Sequence, residues 1–396
     1  APGFGTHWVG LISFFPFLFT LEQLHKKTYL TFWRRCLGFF CVCWLTGGIA
    51  SLIGGHWITN SIHVFGHIPF IFSLLITGAG YGLEVGLQLF VYFAIPLLCI
   101  RKLGNWELVS RLSYVIAMDP WYPRLIHWNY GGLTFAKFPF LEQVADILGS
   151  SGLLFYSLGL QFLLLAWWRL KSDLRNLNDN AVGYKFLKHS FVAYLLLWSV
   201  GLSYGAWRIN DINRNDKLHN SDSFLNVIAI QPNFSLQDLA SKPELAHSKR
   251  QGNLERLFED SKKYLSKLPK QSLEPTLLVW PESVFPHPFF KVKGASQKVM
   301  RFAEENNTSV LFTSVDWKKT MTGRKFYGVS VLVGSNGEVL GRYNKIFLIP
   351  FGEMIPFSNI FPETASWLRN NIANMSEFDA GQDYKVFSLT DKIRLS

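Results

Sequence analysis

Residues 276–283 read TLLVWPES, and residues 342–356 read RYNKIFLIPFGEMIP. The first stretch is a short apolar strand with the carboxylate of Glu282 directly after it, which is a common position for a catalytic base. The second stretch carries Lys345 and, eight residues later, Glu353. Glu282, Lys345 and Glu353 are therefore candidates for acid–base chemistry. A Glu–Lys pair taken alone, however, is more commonly a solvated surface ion pair.

Short strands and helices alternate around these two stretches. The interval Gln251–Leu268 has apolar residues at helical spacing with one polar interruption, Ser261. The turn residues at 335–337, Ser-Asn-Gly, separate the two strands of a predicted hairpin. The predicted order is β-α-β-α-β-β-β, with a further strand pair near 384–395, and it is typical of α/β layers around a sheet. The predicted strands are 225–231, 276–280, 310–315, 326–333 and 338–343, and the second helix is 296–306.

Composition divides the chain in two. The sequence is 49% hydrophobic and only 17% charged, which is unusual for a soluble protein, and the long apolar runs lie before residue 224. We predict a transmembrane helical domain at 1–208, a linker rich in Asn, Asp and Ser at 209–223, and an α/β domain at 224–396. All the cysteines lie in the apolar runs, so the α/β domain has no disulfide framework. They are Cys36, Cys41, Cys43 and Cys99.

Six apolar runs are candidates to cross a bilayer, which takes about 20 residues. The fourth is weak, because Glu107 and Arg111 interrupt it. The third is overlong, so we expect it to tilt or to break at the cluster of Gly78, Gly80 and Gly82. The predicted spans are 8–24, 36–54, 68–100, 105–123, 147–168 and 187–207.

Basic residues cluster in alternate loops, which the positive-inside rule assigns to the cytoplasm. The clusters follow the first, third and fifth spans, whereas loop 56–69 has no Lys or Arg and loop 119–146 has only two. Six crossings fit this alternation and place residues 208–396 outside the cytoplasm. The basic residues are Lys26, Lys27, Arg34, Arg35, Arg101, Lys102, Arg169, Lys171, Arg175, Lys185 and Lys188.

The two base-poor loops are rich in aromatic and small residues: GGHWITNSIHVFGHIP at 54–69 and HWNYGGLTFAKFPF at 127–140. Two interpretations of these loops stay open. The loops line an interfacial cavity for a lipid, or their aromatic residues anchor helix ends as an aromatic belt. The histidines of the first loop have no carboxylate nearby, so no metal site is predicted. The net charge of +11 favours anionic lipid over nucleic acid, because no nucleic-acid motif accompanies it.

The two opening stretches also carry a family resemblance. WPES at 280–283, with its strand, resembles the Glu motif of the nitrilase (carbon–nitrogen hydrolase) superfamily, and the stretch 342–356 resembles its Lys motif. The form PFGE followed by a hydrophobic-Pro pair is typical of one branch, the bacterial apolipoprotein N-acyltransferases. GGHWITNSIHVFG at 54–66 is similar to the loop after the second span in that branch. The resemblance covers nearly the whole chain, and the motifs are specific in combination.

The resemblance implies a multi-span α-helical membrane domain fused to a nitrilase-type α-β-β-α sandwich with a Glu–Lys–Cys triad. In such enzymes a cysteine thiolate takes an acyl chain from a phospholipid ester, and the amine of a diacylglyceryl-cysteine lipoprotein then receives it. By motif, Glu282 would be the general base, Lys345 would stabilise the oxyanion, and Glu353 would orient the site. The resemblance implies no cofactor or metal, and it implies the bacterial inner membrane with the catalytic domain on the periplasmic side.

Three departures from the family pattern bear on activity. Residues 224–396 contain no Cys, and the nucleophile strand of the family is expected after Ser396, so we expect a chain cut before its nucleophile and inactive by itself. A natural pseudoenzyme is the alternative. QPNFSLQDLA at 231–240 replaces a QGNI-type segment, and Tyr327-Gly328 stands where relatives often have Tyr-Asn. A membrane-tethered amidase or nitrilase and a catalytically dead binding homologue are the competing hypotheses.

Overall fold

The computed structural model of the chain divides into two compact units, which are described separately. The first comprises Ala1–Asn60 and Pro69–Asn220, and the second comprises Ser61–Ile68 and Ser221–Ser396. The structure describes residues 7–27, 29–100, 103–124, 134–135, 137–172, 177–218, 224–234, 243–268, 274–282, 285, 288–321, 323–371 and 377–395.

The described residues up to Leu218 fold mainly into helices. Short 3₁₀ turns at His7–Leu11 and Gly104–Trp106 precede α1 and α5. The helices are α1 (Phe15–Lys26), α2 (Phe32–Gly54), α3 (His56–Gly66), α4 (Phe70–Cys99), α5 (Glu107–Met118), α6 (Pro139–Glu142), α7 (Ala145–Ser172) and α8 (Leu177–Leu218).

Four helices within the described part of the chain are long and apolar enough to cross a bilayer, namely α2, α4, α7 and most of α8. Their apolar segments run from 23 to 34 residues, whereas a span needs about 20. The protein is therefore a multi-pass membrane protein, as the sequence predicts. The first and fourth predicted spans coincide with α1 and α5, helices of 12 residues that each follow a 3₁₀ turn. The total of six spans stays a prediction.

Two expectations about these segments are corrected. The stretch 54–69, predicted as a loop, is helical from His56 to Gly66. An apolar segment at a membrane satisfies its backbone N–H and C=O groups best in a helix, which accounts for the difference. The third span does not break at its glycines, because α4 stays continuous and winds into wider π-helical turns at Ile76–Tyr81 and Phe90–Ala94.

The predicted linker is helical over its first part, since α8 continues to Leu218. The domain bounds themselves stay a prediction. Some predicted features lie outside the described residues: most of the aromatic loop at 127–140, the end of the linker at 219–223, and positions 235–240 of the QPNFSLQDLA segment.

Glycines let α2 and α4 pack backbone against backbone. A Cβ atom on Gly82 would lie 2.6 Å from the Cα of Gly48, and one on Gly86 would lie 2.7 Å from the Cα of Trp44. Neither distance admits a side chain. Small residues that allow such close approach are the usual interface between helices in lipid, where burial of apolar surface gives little driving force.

Four charged side chains from α1, α5 and α7 form a cluster inside the first unit. Arg169 lies 2.6 Å from Glu22 and 3.4 Å from Glu107. Arg111 lies 3.4 Å from Glu22 and also pairs with Glu107, one helical turn away. Glu22 and Arg111 are each only 4% exposed. The two charges that weaken the fourth predicted span are therefore compensated within the protein, as charges inside a membrane domain require.

Among the described residues of the second unit, five strands form one mixed sheet, in the order β1-β2-β3-β4-β5. The first three strands run parallel, while β4 is antiparallel to both of its neighbours. This confirms the predicted α/β class and the predicted hairpin, in which Gly337 has a φ of 77°. The elements are β1 (Asn226–Ala229), α9 (Pro243–Leu265), β2 (Thr276–Val279), α10 (Lys293–Glu305), β3 (Ser309–Thr320), β4 (Gly323–Val333), β5 (Val339–Asn344), α11 (Pro362–Asn371), β6 (Phe387–Ser388) and β7 (Arg394–Leu395).

Trp280 anchors the end of β2 in the core of the second unit. Its side chain is 2% exposed and packs against the rings of Phe258, Phe302 and Phe312. Its indole N–H donates to the hydroxyl of Ser261 at 3.0 Å. The polar interruption in the helical pattern of α9 is thus the hydrogen-bond acceptor that a buried tryptophan needs.

Candidate active site

The sheet topology brings the ends of β2 and β5 to one edge. β5 is antiparallel to β4, and β4 is antiparallel to β3, so β5 runs in the same direction as β2 and β3. The segments that follow β2 and β5 therefore leave the sheet at the same, carboxyl edge, where α/β folds place their sites. Glu282 follows β2, and Lys345 follows β5 directly.

Lys345 lies between two carboxylates at this edge. Its ammonium Nζ is 2.8 Å from Oε1 of Glu353 and 3.2 Å from Oε1 of Glu282. The Glu282 side chain is 60% exposed, whereas that of Glu353 is 15% exposed. The three residues singled out in the sequence thus meet in space, with one carboxylate held inside the cluster and the other open to an incoming molecule.

A tight turn fixes Glu353. Its backbone N–H donates to the carbonyl of Ile349 at 2.8 Å, while its side-chain Oε2 accepts from the N–H of Ile349 at 2.9 Å. Phe351, inside the turn, has a φ of 62°, a conformation that is uncommon for a residue other than glycine. Because one carboxylate oxygen is committed to the backbone, the other is aimed at Lys345. Glu353 is therefore positioned to hold the lysine rather than to move during a reaction.

The charge of Lys345 is stabilised by its neighbours. Partial burial by itself would lower the pKa of Lys345, but the hydrogen bonds and negative charges of Glu353 and Glu282 outweigh burial and raise it above the ordinary lysine value. Lys345 is therefore an ammonium ion at neutral pH. In that state it can donate hydrogen bonds and stabilise a negative charge, but it cannot accept a proton.

A later segment supports the site through its backbone. The N–H of Gly381 donates to the carbonyl of Lys345 at 2.8 Å, and the N–H of Phe378 donates to the carbonyl of Glu353 at 2.7 Å. A Cβ on Gly381 would lie only 2.2 Å from the carbonyl oxygen of Asn344. The sequence does not predict the role of this segment, because backbone hydrogen bonds produce no side-chain pattern. In the sequence, the close approach to the Asn344 carbonyl is reflected in the choice of glycine at 381.

The departure at Tyr327-Gly328 falls beside the candidate lysine. The carbonyl of Gly328 accepts from the N–H of Lys345 at 2.8 Å, and a Cβ on Gly328 would lie 3.7 Å from that of Lys345. That distance is ordinary contact, so a Cβ atom fits at this position. Gly328 leaves more room next to the aliphatic part of Lys345 than an asparagine at this position would.

The cluster has the parts for proton transfer and for oxyanion stabilisation. The exposed carboxylate of Glu282 can accept a proton, and a third donor position of the Lys345 ammonium is left for a developing negative charge. The α/β domain supplies no thiol, since residues 224–396 contain no Cys. Within the described ranges, no three His, Cys, Asp or Glu side chains are grouped as a metal site would need.

Comparison with known proteins points to one family. Residues 1–163 match the family model described as the apolipoprotein N-acyltransferase N-terminal domain. An apolipoprotein N-acyltransferase of Rhizobium leguminosarum bv. trifolii is 22% identical over 364 residues, covering 90% of this chain and 62% of that protein. One of Chlorobaculum tepidum is 23% identical over 415 residues, covering 97% and 67%. One of Geobacter metallireducens is 30% identical over 105 residues, covering 26% and 19%.

The two units define the class of protein first: a multi-pass membrane protein that carries an α/β domain with a lysine held by two glutamates at the carboxyl edge of its sheet. The match of residues 1–163 and the similarity along most of the chain then point to particular relatives. The chain is similar to the apolipoprotein N-acyltransferases, through the family model in residues 1–163 and through the named relatives along most of its length. It spans about three fifths of the length of relatives such as the Rhizobium protein.

Proposed function

We propose that this protein is an apolipoprotein N-acyltransferase. It transfers a fatty acyl chain from a phospholipid to the N-terminal amine of a diacylglyceryl-cysteine lipoprotein, through a thioester acyl-enzyme. The observation that carries the proposal is the contact of Lys345 with both Glu282 and Glu353 at the edge of the sheet. The relatives named for this activity, which resemble the chain along most of its length, support the same assignment.

Each residue of the cluster has a distinct role in this proposal. Glu282 is the general base that takes a proton from the attacking thiol and gives it to the oxygen of the leaving lysophospholipid; it later takes a proton from the acceptor amine and returns it to the leaving thiolate. Lys345 stabilises the oxyanion of each tetrahedral intermediate with its fixed positive charge. Glu353 orients the lysine, because its own position is set by the turn at Ile349. The nucleophile is a cysteine thiolate, which needs a nearby base and cation to form at neutral pH, because a free thiol has a pKa of about 8.5.

The membrane unit favours the acyltransferase over the competing amidase. Phospholipid and lipoprotein substrates are both held in a bilayer, so an enzyme that joins them gains from a helical domain in the same bilayer. A soluble small amide gives no reason for such a domain. We place the protein in the bacterial inner membrane, with the α/β domain on the periplasmic side, from the alternation of basic loops.

The roles of Glu282 and Lys345 are tested in the gene product that contains residues 1–396. Glu282→Gln removes basicity and Lys345→Met removes charge, each with little change in volume. Each should lower the rate of thioester formation by about 100-fold or more, while the protein still folds and inserts. Glu305→Gln and Lys318→Met, at exposed positions on α10 and β3, serve as matched controls. Wild-type rates in both site variants would reject the assignment.

The acceptor assay separates the two enzymatic hypotheses. Transfer of a labelled acyl chain to the amine of a lipopeptide supports the acyltransferase, whereas release of free fatty acid or of ammonia without transfer supports a hydrolase. The chain 1–396 by itself should form no hydroxylamine-labile adduct with labelled phospholipid, because residues 224–396 contain no Cys. An adduct on that chain would mean that one of the four membrane-unit cysteines is the nucleophile.

A further inference from the structure

A groove with a volume of about 550 Å³ lies in the membrane unit between α5, α7 and α8. Helix α7 forms its floor, and α5 and α8 form its walls. Most of the floor residues are spaced three or four apart, so they share one face of α7. They include Gly159, Phe162, Leu163, Ala166 and Leu170. The volume falls within the range of about 300–1,000 Å³ that is typical of ligand pockets.

The groove is long and narrow, and aromatic rings meet at one end. Its floor extends from Phe155 to Leu170, which is about 22 Å along the helix axis at about 1.5 Å per residue. Near the Leu170 end, the rings of Trp106 and Phe186 meet edge to face with centroids 5.2 Å apart. This shape suits a linear apolar chain better than a compact ligand.

Basic side chains surround the end of the groove at Leu170. Arg169 and His189 line the groove itself, and Lys185 and Lys188 are exposed on α8 beside it. The charge of Arg169 is already compensated by Glu22 and Glu107, so the two lysines supply the positive charge. Residues 169–190 contain five Lys and Arg against two Asp. This end therefore attracts a negatively charged group.

The wall formed by α8 faces outward from the unit. Only 11% of the most apolar 18-residue stretch of this helix is buried inside the protein. Because the protein spans a membrane, the medium that covers such a surface is lipid. An apolar groove in this surface is filled by hydrocarbon rather than by water.

We propose that this groove binds one anionic phospholipid, with an acyl chain along α7 and the headgroup phosphate against Lys185 and Lys188. The proposal goes beyond the acyl-transfer function, because it concerns residues of the membrane unit alone. In this proposal the lipid in the groove stays bound to the membrane unit and is not the acyl donor. Charge complementarity selects an anionic over a zwitterionic headgroup, and the floor of about 22 Å, about four helical turns, accommodates the acyl chain.

The test uses native mass spectrometry of the full chain, purified from nanodiscs that contain equal amounts of phosphatidylglycerol and phosphatidylcholine. We expect one phosphatidylglycerol to be retained for each wild-type chain. Ala193→Trp places an indole into the groove and should lower retention at least fivefold. Leu196→Trp, three residues away on an exposed position that does not line the groove, should retain the lipid as wild type does.

A second pair of variants tests the headgroup. Lys185→Gln with Lys188→Gln should abolish the preference for phosphatidylglycerol, whereas Lys137→Gln, an exposed lysine elsewhere in the unit, should keep it. These surface changes keep the protein folded even where a tryptophan does not. Equal retention of both lipids by the wild type, or full retention by a folded Ala193→Trp variant, would overturn the proposal.

A photo-crosslinker identifies the occupant directly. Benzoylphenylalanine at Leu197, which lines the groove and is 46% exposed, should label phospholipid in membranes. A crosslink to a second copy of the chain or to another protein, without lipid labelling, would assign the groove to a helix partner and would overturn the lipid site.

Discussion

Lys345 gains two carboxylate partners on folding, and its pKa is raised above the ordinary lysine value, with hydrogen bonds and charges outweighing burial. A raised pKa means that the folded state binds the proton more tightly than the unfolded state does. The stabilisation is therefore fully present below the unfolded lysine pKa of about 10.4 and is lost as pH rises through the higher folded pKa.

We predict that the stability difference between wild type and Lys345→Met stays constant from neutral pH to about pH 9 and shrinks above about pH 10.5. Chemical unfolding of the α/β domain, followed across alkaline pH, measures this. Lys318→Met, at an exposed position, should differ from wild type by the same small amount at every pH. A difference for Lys345→Met that grows with rising pH would contradict the assignment.

Gly381 supports the backbone of Lys345 at a position that admits no side chain. Its added Cβ would lie 2.2 Å from the carbonyl oxygen of Asn344, so Gly381→Ala must displace the segment. We expect a loss of about 1–3 kcal/mol in the free energy of unfolding. Gly252→Ala in α9 is the matched control, because nothing lies within 4 Å of its added Cβ, and it should stabilise the helix by about 0.5–1 kcal/mol.

At the level of elements, the packing of α2 on α4 depends on glycine. Gly86→Ala would put a methyl group 2.7 Å from the Cα of Trp44 and should lower the thermal stability of the membrane unit in detergent, by about 1–3 kcal/mol. Gly80 lies on the same helix, and the nearest atom to its added Cβ is 4.0 Å away. Gly80→Ala should therefore be nearly neutral, and an equal loss in both variants would argue against a specific helix contact.

The strands and the hairpin of the α/β domain could be predicted because their signals are local. Apolar runs bounded by polar residues marked β2 and β3, and Ser335-Asn336-Gly337 marked the turn before β5. The helix at His56–Gly66 was missed, because aromatic and small residues are also typical of interfacial loops. Glu282 and Lys345 were predicted from their places after strands, and Glu353 from its place in the same segment as Lys345; the roles of all three came from the family resemblance. Ser261 was noticed only as an irregularity in a helix, since its partner Trp280 lies in another element.

At the level of the whole molecule, the sidedness of the α/β domain is the prediction that most constrains function. The alternation of basic loops predicts that residues 208–396 lie outside the cytoplasm. Alkaline phosphatase, fused after Ser223, should therefore be active in bacteria, and the same reporter fused after Ser172, where α7 ends, should be inactive. Activity only in the second fusion would reverse the orientation and would separate the domain from periplasmic lipoproteins.

The cluster of Glu22, Arg111, Glu107 and Arg169 has a consequence for how the protein is made. Its members come from α1, α5 and α7. Glu107 and Arg111 pair within α5, but Glu22 on α1 and Arg169 on α7, each helix taken separately, would be unpaired charges in hydrocarbon, which is costly. The translocon therefore cannot release these helices into the bilayer one at a time without that cost. We expect the early helices to remain at the insertion machinery until α7 has been synthesised, so that this part of the protein enters the lipid as a preassembled, electrically neutral group.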